Sequence, residues 1–132
     1  MISALSAIAL AIQASFSGVP TKIYDGDTLN IGARSFRLYG IDAPELKEPY
    51  GPVSREYLRS LVNGVTVTCQ PTGKKSYLRY EARCYLPSGL EINQLMVEAG
   101  MALDCRRYSK GIYRQFEPAG VRQKLVNKGY CR

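Results

Sequence analysis

The chain has 132 residues, which suits one domain and leaves no room for a second of ordinary size. Eighteen Lys and Arg against eleven Asp and Glu leave a formal charge of +7, which favours a polyanionic partner: nucleic acid, an anionic membrane face or an acidic polysaccharide. Histidine is absent, which excludes Ser-His-Asp and Cys-His nucleophiles and every His-ligated metal site; tryptophan is absent too, so base stacking falls to the ten Tyr, the three Phe or Arg.

Residues 2–14 read ISALSAIALAIQA, an apolar run too short to span a bilayer, which takes about 20 residues. The run suits the hydrophobic segment of a secretory signal, with small residues after it and a cut after Ala14, although no Lys or Arg precedes it. The alternative is an N-terminal helix packed on the domain. Export predicts a secreted or periplasmic protein, with residues 1–14 as the signal and 15–132 as the domain.

Val19–Tyr24 and Thr28–Ile31 are short β-branched and aromatic runs, and the Asp25-Gly26-Asp27 step between them is a turn signal. Gly32-Ala33-Arg34 reads as a second turn. Ser35–Ile41 alternates, with Phe36, Leu38 and Gly40 on one face and Arg37, Tyr39 and Ile41 on the other. Pro44 ends that strand because it cannot donate to a ladder. A polar loop over 46–51 leads to a helix over 53–62, where Tyr57, Leu58, Leu61 and Val62 recur at helical spacing before Asn63-Gly64.

Val65–Cys69 alternates as a strand, Gln70–Ser76 reads as a loop containing Pro71 and Gly73, and Tyr80–Leu86 reads as another strand. A short helix over 92–99 stops at Gly100. Residues 101–112 read as irregular and basic, and a last helix is expected over 114–128, with Pro118 in its first turn or kinking it. Four cysteines stand at 69, 84, 105 and 131, none in a CxxC pair. An even count behind a signal suggests two disulfides, and the count alone leaves three pairings open. About five strands and three helices, with the strands before residue 90, predict an α+β, mainly β fold: a five-stranded barrel of the oligonucleotide-binding (OB) kind with helices packed on it.

The chemistry concentrates in Tyr24–Glu45, which holds Asp25, Asp27, Arg37, Asp42 and Glu45. Hairpin pairing of the intervening strands would bring the Asp27 turn and the Asp42 strand end together. Carboxylates converging without His or Cys suit a hard cation such as Ca²⁺ or Mg²⁺, and an Arg between them suits an anion held by the same cation. Cation, Arg and a spare Glu describe phosphodiester hydrolysis, whereas the plain alternative is a polar hairpin with surface ion pairs.

The run KIYDGDTLNIGARSFRLYGIDAPE resembles the staphylococcal nuclease (thermonuclease) family, whose hallmark is an Asp-Gly-Asp-Thr turn followed by an Arg-Leu-x-Gly-Ile-Asp-x-Pro-Glu strand end. The resemblance extends over about residues 16–131, through Tyr77-Leu78-Arg79 with Ala82, Asn93, Met96-Val97-Glu98-Ala99-Gly100, and Glu117 with Ala119. It implies a Ca²⁺-dependent nuclease acting on DNA and RNA, single-stranded or fraying, and working as a monomer. By the same resemblance Asp27 and Asp42 are the carboxylate metal ligands and the main-chain carbonyl of Ala43 is the third. Arg37 holds the scissile phosphate, Arg79 stabilises the charged transition state, and Glu45 activates the attacking water. Tyr77 and Tyr108 line the nucleotide pocket. The family barrel also implies the pairings Cys69–Cys84 and Cys105–Cys131. Departures from the pattern are Leu78 in place of a Gly, Lys75-Ser76 where an Asp is common, and Cys131 in place of a terminal Trp. The same barrel without catalysis, a binding module for nucleic acid or another polyanion, is the alternative.

Overall fold

A computed structural model describes residues 14–76 and 79–132. Tyr77, Leu78 and the expected signal segment, apart from Ala14, lie outside the described residues. Six strands form one curled, half-barrel sheet: β1 (Phe16–Gly18), β2 (Lys22–Asp25), β3 (Thr28–Ile31), β4 (Arg34–Leu38), β6 (Val67–Ser76) and β7 (Arg79–Tyr85), in the order β1-β6-β7-β4-β3-β2. Every pairing is antiparallel except β4 with β7, which run parallel. Two short strands, β5 (Ile41–Asp42) and β8 (Leu103–Asp104), pair separately.

The inward residues of alternating strands build the core. Leu29, Phe36, Leu38, Val67 and Ala82 are all buried, and helices α1 (Gly51–Val62) and α2 (Ile92–Glu98) cover them with Leu58, Val62, Ile92, Met96 and Val97. Phe36 and Tyr80 stack at 5.7 Å, and Phe16 of β1 joins them at 5.5 and 5.6 Å. The expected α+β, mainly β architecture of the OB kind is therefore present.

Buried Asn93 joins the parallel seam to α2. Its Nδ2 donates to the Tyr39 and Ala82 carbonyls at 2.9 and 3.2 Å, and its Oδ1 accepts from the Cys84 N–H at 3.1 Å. Cys69 and Cys84 face each other across β6 and β7 and are bridged; Cys105 is bridged to Cys131. Both pairings agree with the sequence-based expectation.

Five details differ from that expectation. β1 was not anticipated, because three residues give no measurable alternation. Residues 70–76 continue β6 rather than forming a loop. Pro71 is tolerated because β1 pairs only as far as Cys69, so the missing N–H costs no ladder bond, and the β6–β7 register slips between Pro71 and Lys75. Ile41 is buried rather than sharing a face with Arg37, because the chain turns at Tyr39-Gly40 and restarts as β5. The helix expected over 114–128 is broken into a 3₁₀ turn at Arg114–Phe116, a one-turn helix α4 (Val121–Lys124) and a 3₁₀ turn at Gly129–Cys131. Pro118 has no N–H to extend the first turn, so Glu117 caps an end instead of riding a helix. A further one-turn helix, α3 (Arg106–Ser109), lies in the segment read as irregular.

Candidate active site

The turn between β2 and β3 carries Asp25 and Asp27, and two glycines let it approach α1. A Cβ on Gly26 would sit 1.8 Å from Ser54 Oγ of α1 and 2.8 Å from Ala43 Cβ. A Cβ on Gly51, the first residue of α1, would sit 2.0 Å from the Glu45 carbonyl oxygen. Only glycine allows these approaches, and they draw the turn, the Ala43–Glu45 segment and α1 together.

The Asp27 carboxylate is then held on several sides. Oδ2 accepts from the Ala43 N–H at 2.8 Å, Oδ1 accepts from the Thr28 hydroxyl at 3.0 Å, and the Asp27 N–H donates to Asp25 Oδ1 at 3.0 Å. The Leu38 N–H donates to the Asp27 carbonyl at 2.7 Å, fixing the turn to β4. Arg37, one residue before, reaches both carboxylates: NH1 lies 2.7 Å from Asp27 Oδ2 and NH2 lies 3.5 Å from Asp42 Oδ1. NH1 is buried against the Asp27 carboxylate, its one partner among the described residues.

One polar pocket of about 150 Å³ is lined by Asp25, Asp27, Arg37, Asp42, Ala43, Glu45, Arg79 and Tyr130. All six residues predicted as metal-binding or catalytic therefore converge there: Asp27, Asp42, Ala43, Arg37, Glu45 and Arg79. A neighbouring pocket of about 370 Å³ shares Arg37, Arg79 and Tyr130 and adds Tyr108, which is 40% exposed. Tyr77 lies outside the described residues. Glu45 is exposed at the rim, its own N–H donated to Glu48 Oε1 at 2.7 Å.

Sequence reasoning missed two residues of the site. Tyr130 donates to Asp42 Oδ1 at 2.6 Å, and Lys128 Nζ lies 3.0 Å from Asp42 Oδ2 and 3.1 Å from Glu48 Oε1. Both stand on the C-terminal turn that the Cys105–Cys131 bridge anchors, and the bridge was the one signal pointing there.

The electrostatics follow from crowding. Burial first, and then the Asp27 charge, pushes the Asp25 carboxyl up to about 7. Burial opposes the charge of Arg37, but Asp27 and Asp42 outweigh it and hold the guanidinium above its ordinary value. Burial likewise opposes the charge of Lys128, and the Asp42 hydrogen bond and charge overcome it. Burial, reinforced by the bond to Asp42, raises the Tyr130 hydroxyl.

Among the described residues no three His, Cys, Asp or Glu side chains form a closed metal cluster. The side chains of Asp27 and Asp42, which line the pocket beside Ala43, offer only oxygen donors, which fit a hard cation and would not retain a soft one.

The fold is a curled OB-type sheet with two arginines and four carboxylate side chains lining one polar pocket. The family described as staphylococcal nuclease homologue matches residues 35–125, and the chain belongs to that family. Among its relatives, an uncharacterized endonuclease of Escherichia coli O157:H7 is 38% identical over 73% of this chain and 65% of its own length. A micrococcal nuclease of Shigella flexneri is 30% identical over 94% of this chain and 84% of its own length. An uncharacterized endonuclease of Haemophilus influenzae is 40% identical over 67% of this chain and 52% of its own. The chain thus spans less than two-thirds of the length of these two endonucleases.

Proposed function

We propose that this domain is a metal-dependent nuclease that hydrolyses phosphodiester bonds of DNA and RNA. The observation that carries the reading is the convergence of Arg37, Arg79 and Glu45 with the Asp27 and Asp42 carboxylates on one polar pocket. A phosphate group suits a pocket with two guanidiniums, which bind it bidentately in a way Lys cannot copy.

Arg37 and Arg79 bind the phosphodiester and offset the negative charge that grows on its equatorial oxygens in the transition state. Glu45 orients the attacking water and takes its proton. The carboxylates of Asp27 and Asp42 and the Ala43 carbonyl would hold Ca²⁺, which when bound neutralises charge on the phosphate. Tyr108, with Arg37 and Arg79 beside it, offers a surface for the adjoining nucleotide. The two disulfides support work in an oxidising compartment, secreted or periplasmic, and the family resemblance supports a monomer.

The binding-module alternative has one observation in its favour, the Lys128 ammonium already paired with Asp42. Incubating the purified protein with denatured DNA, with Ca²⁺ and then with EDTA, separates the two. Cleavage is expected with Ca²⁺ and lost in EDTA, and Glu45→Ala or Arg79→Ala is expected to lower the rate about 10²- to 10³-fold with the fold intact. Tight binding without cleavage under any divalent ion would overturn the nuclease reading.

A further inference from the structure

The sheet register aligns a row of polar side chains leading away from the proposed catalytic pocket. Lys22 pairs with Asn30, Asn30 with Ser35, and Ser35 with Arg79, across β2, β3, β4 and β7. Directly paired residues project from the same face, and their neighbours Ile23, Leu29 and Phe36 are buried on the other, so the row lies on the outer face. At a strand spacing near 4.8 Å, it runs about 14 Å from Arg79 to Lys22.

The row borders a groove of about 530 Å³ lined by Tyr24, Asn30, Ala33, Ser35 and Arg79, among others, a volume in the range of small-molecule sites. Arg79 also lines the catalytic pocket and the Tyr108 pocket, so three depressions meet at this one guanidinium. Tyr24 stands in the groove 39% exposed, with Lys22 Nζ 4.3 Å from its ring centroid. Its hydroxyl accepts from Asn30 Nδ2 at 3.3 Å, while the buried Asn30 Oδ1 has no donor among the described residues.

We propose that this groove is a second nucleotide subsite, where a single-stranded polynucleotide continues past Arg79 over the outer face of β2–β4. Tyr24, held by Asn30, is the stacking platform for a base, and Lys22 meets the next phosphate. An aromatic ring beside a row of cations is the recurring way proteins hold single strands without reading sequence. The inference rests on the nuclease reading, because it extends the strand whose scissile phosphate sits at Arg37 and Arg79.

The test is equilibrium binding in EDTA, where no turnover occurs, followed by fluorescence anisotropy. The probes are labelled oligothymidylate of about 12 nucleotides, within the span an OB barrel covers, and a single nucleoside bisphosphate that fills only the catalytic pocket. Tyr24→Ala is expected to weaken oligonucleotide binding about tenfold, with Tyr24→Phe within about twofold of the parent. Lys22→Ala is expected to lower the slope of log affinity against log salt by roughly 0.7. Neither variant should change bisphosphate binding.

If Tyr24→Ala binds the oligonucleotide as the parent does while the parent cleaves DNA, the subsite is wrong and the nuclease reading stands. If Tyr24→Ala weakens both probes equally, Tyr24 acts through the Asp25–Asp27 turn and the subsite is again wrong. A parent that neither binds nor cleaves the oligonucleotide overturns both.

Discussion

Tyr130 and Asp42 lie 88 positions apart in the chain, and the Tyr130 hydroxyl donates to Asp42 Oδ1 at 2.6 Å. Lys128 takes the other oxygen of the same carboxylate. The two residues arrive on one short turn that Cys131 ties to Cys105, so a covalent link distant from Asp42 in the sequence holds the turn whose side chains Asp42 touches.

This arrangement predicts competition at Asp42. A divalent cation using that carboxylate must share it with a fixed ammonium. Removing the ammonium by Lys128→Ala is expected to tighten Ca²⁺ binding by up to about 30-fold, the effect of the ~2 kcal/mol that a dication and an ammonium about 4 Å apart exchange at water-like dielectric. Tyr130→Phe removes a hydrogen bond and no charge, so a smaller change is expected. Calorimetric titration with Ca²⁺ reads both, and unchanged or weaker binding in Lys128→Ala would dismiss the competition.

The raised Asp25 carboxyl predicts how metal-free stability depends on pH. An unfolded Asp releases its proton near 3.8, whereas folded Asp25 keeps it to about 7. Between these values the native state binds more protons than the unfolded chain, so this group makes stability fall as pH rises through the window. Above about 7 its contribution is constant. Asp25→Asn removes the titration, so the variant should gain melting temperature over the parent from pH 4.5 to about 7 and level off above it. Parallel melting profiles measured in EDTA would exclude the assignment.

The site was legible where its determinants are local. Asp25-Gly26-Asp27 has to turn, Pro44 has to end a strand, and the intervening hairpin brings Asp27 and Asp42 into one pocket. Arg37 showed itself as a charge on an otherwise strand-like run. Determinants that depend on distant packing were not legible. Pro71 reads as a breaker until the short reach of β1 is known, and Ile41 changes sides because the chain turns at Gly40. The C-terminal segment keeps a helix-like sequence in places, but Glu117 is drawn off to accept the Asp104 N–H at 2.9 Å and to pair with Arg122 at 2.7 Å. Lys128 and Tyr130 have no local pattern that marks them as partners of Asp42.

Asn93 is where a single polar side chain matters most to the fold. It satisfies two carbonyls and one N–H at the only parallel pairing among the described strands. Asn93→Ala leaves those groups without partners and opens a small void, and a buried unsatisfied group costs about 1–3 kcal/mol. A loss of about 3 kcal/mol in denaturant unfolding is expected, at unchanged m-value. Asn93→Asp should also be destabilising, because it replaces the two N–H donors with a buried charge. A loss under about 1 kcal/mol for Asn93→Ala would show that water replaces the amide.

The two disulfides should separate fold from site. Closing loops of 15 and 26 residues is worth about 3 and 3.5 kcal/mol in the chain-entropy view. Cys69–Cys84 joins paired strands within the core, where both cysteines are buried, so Cys69→Ala/Cys84→Ala should lower stability with the site geometry kept. Cys105–Cys131 anchors the turn bearing Lys128 and Tyr130. Cys105→Ser/Cys131→Ser should therefore lower stability and also release Asp42, matching the tighter Ca²⁺ binding of Lys128→Ala. Denaturant unfolding and calorimetric titration on both double variants check this directly. Equal shifts in Ca²⁺ affinity for the two would mean the C-terminal bridge has no special hold on Asp42.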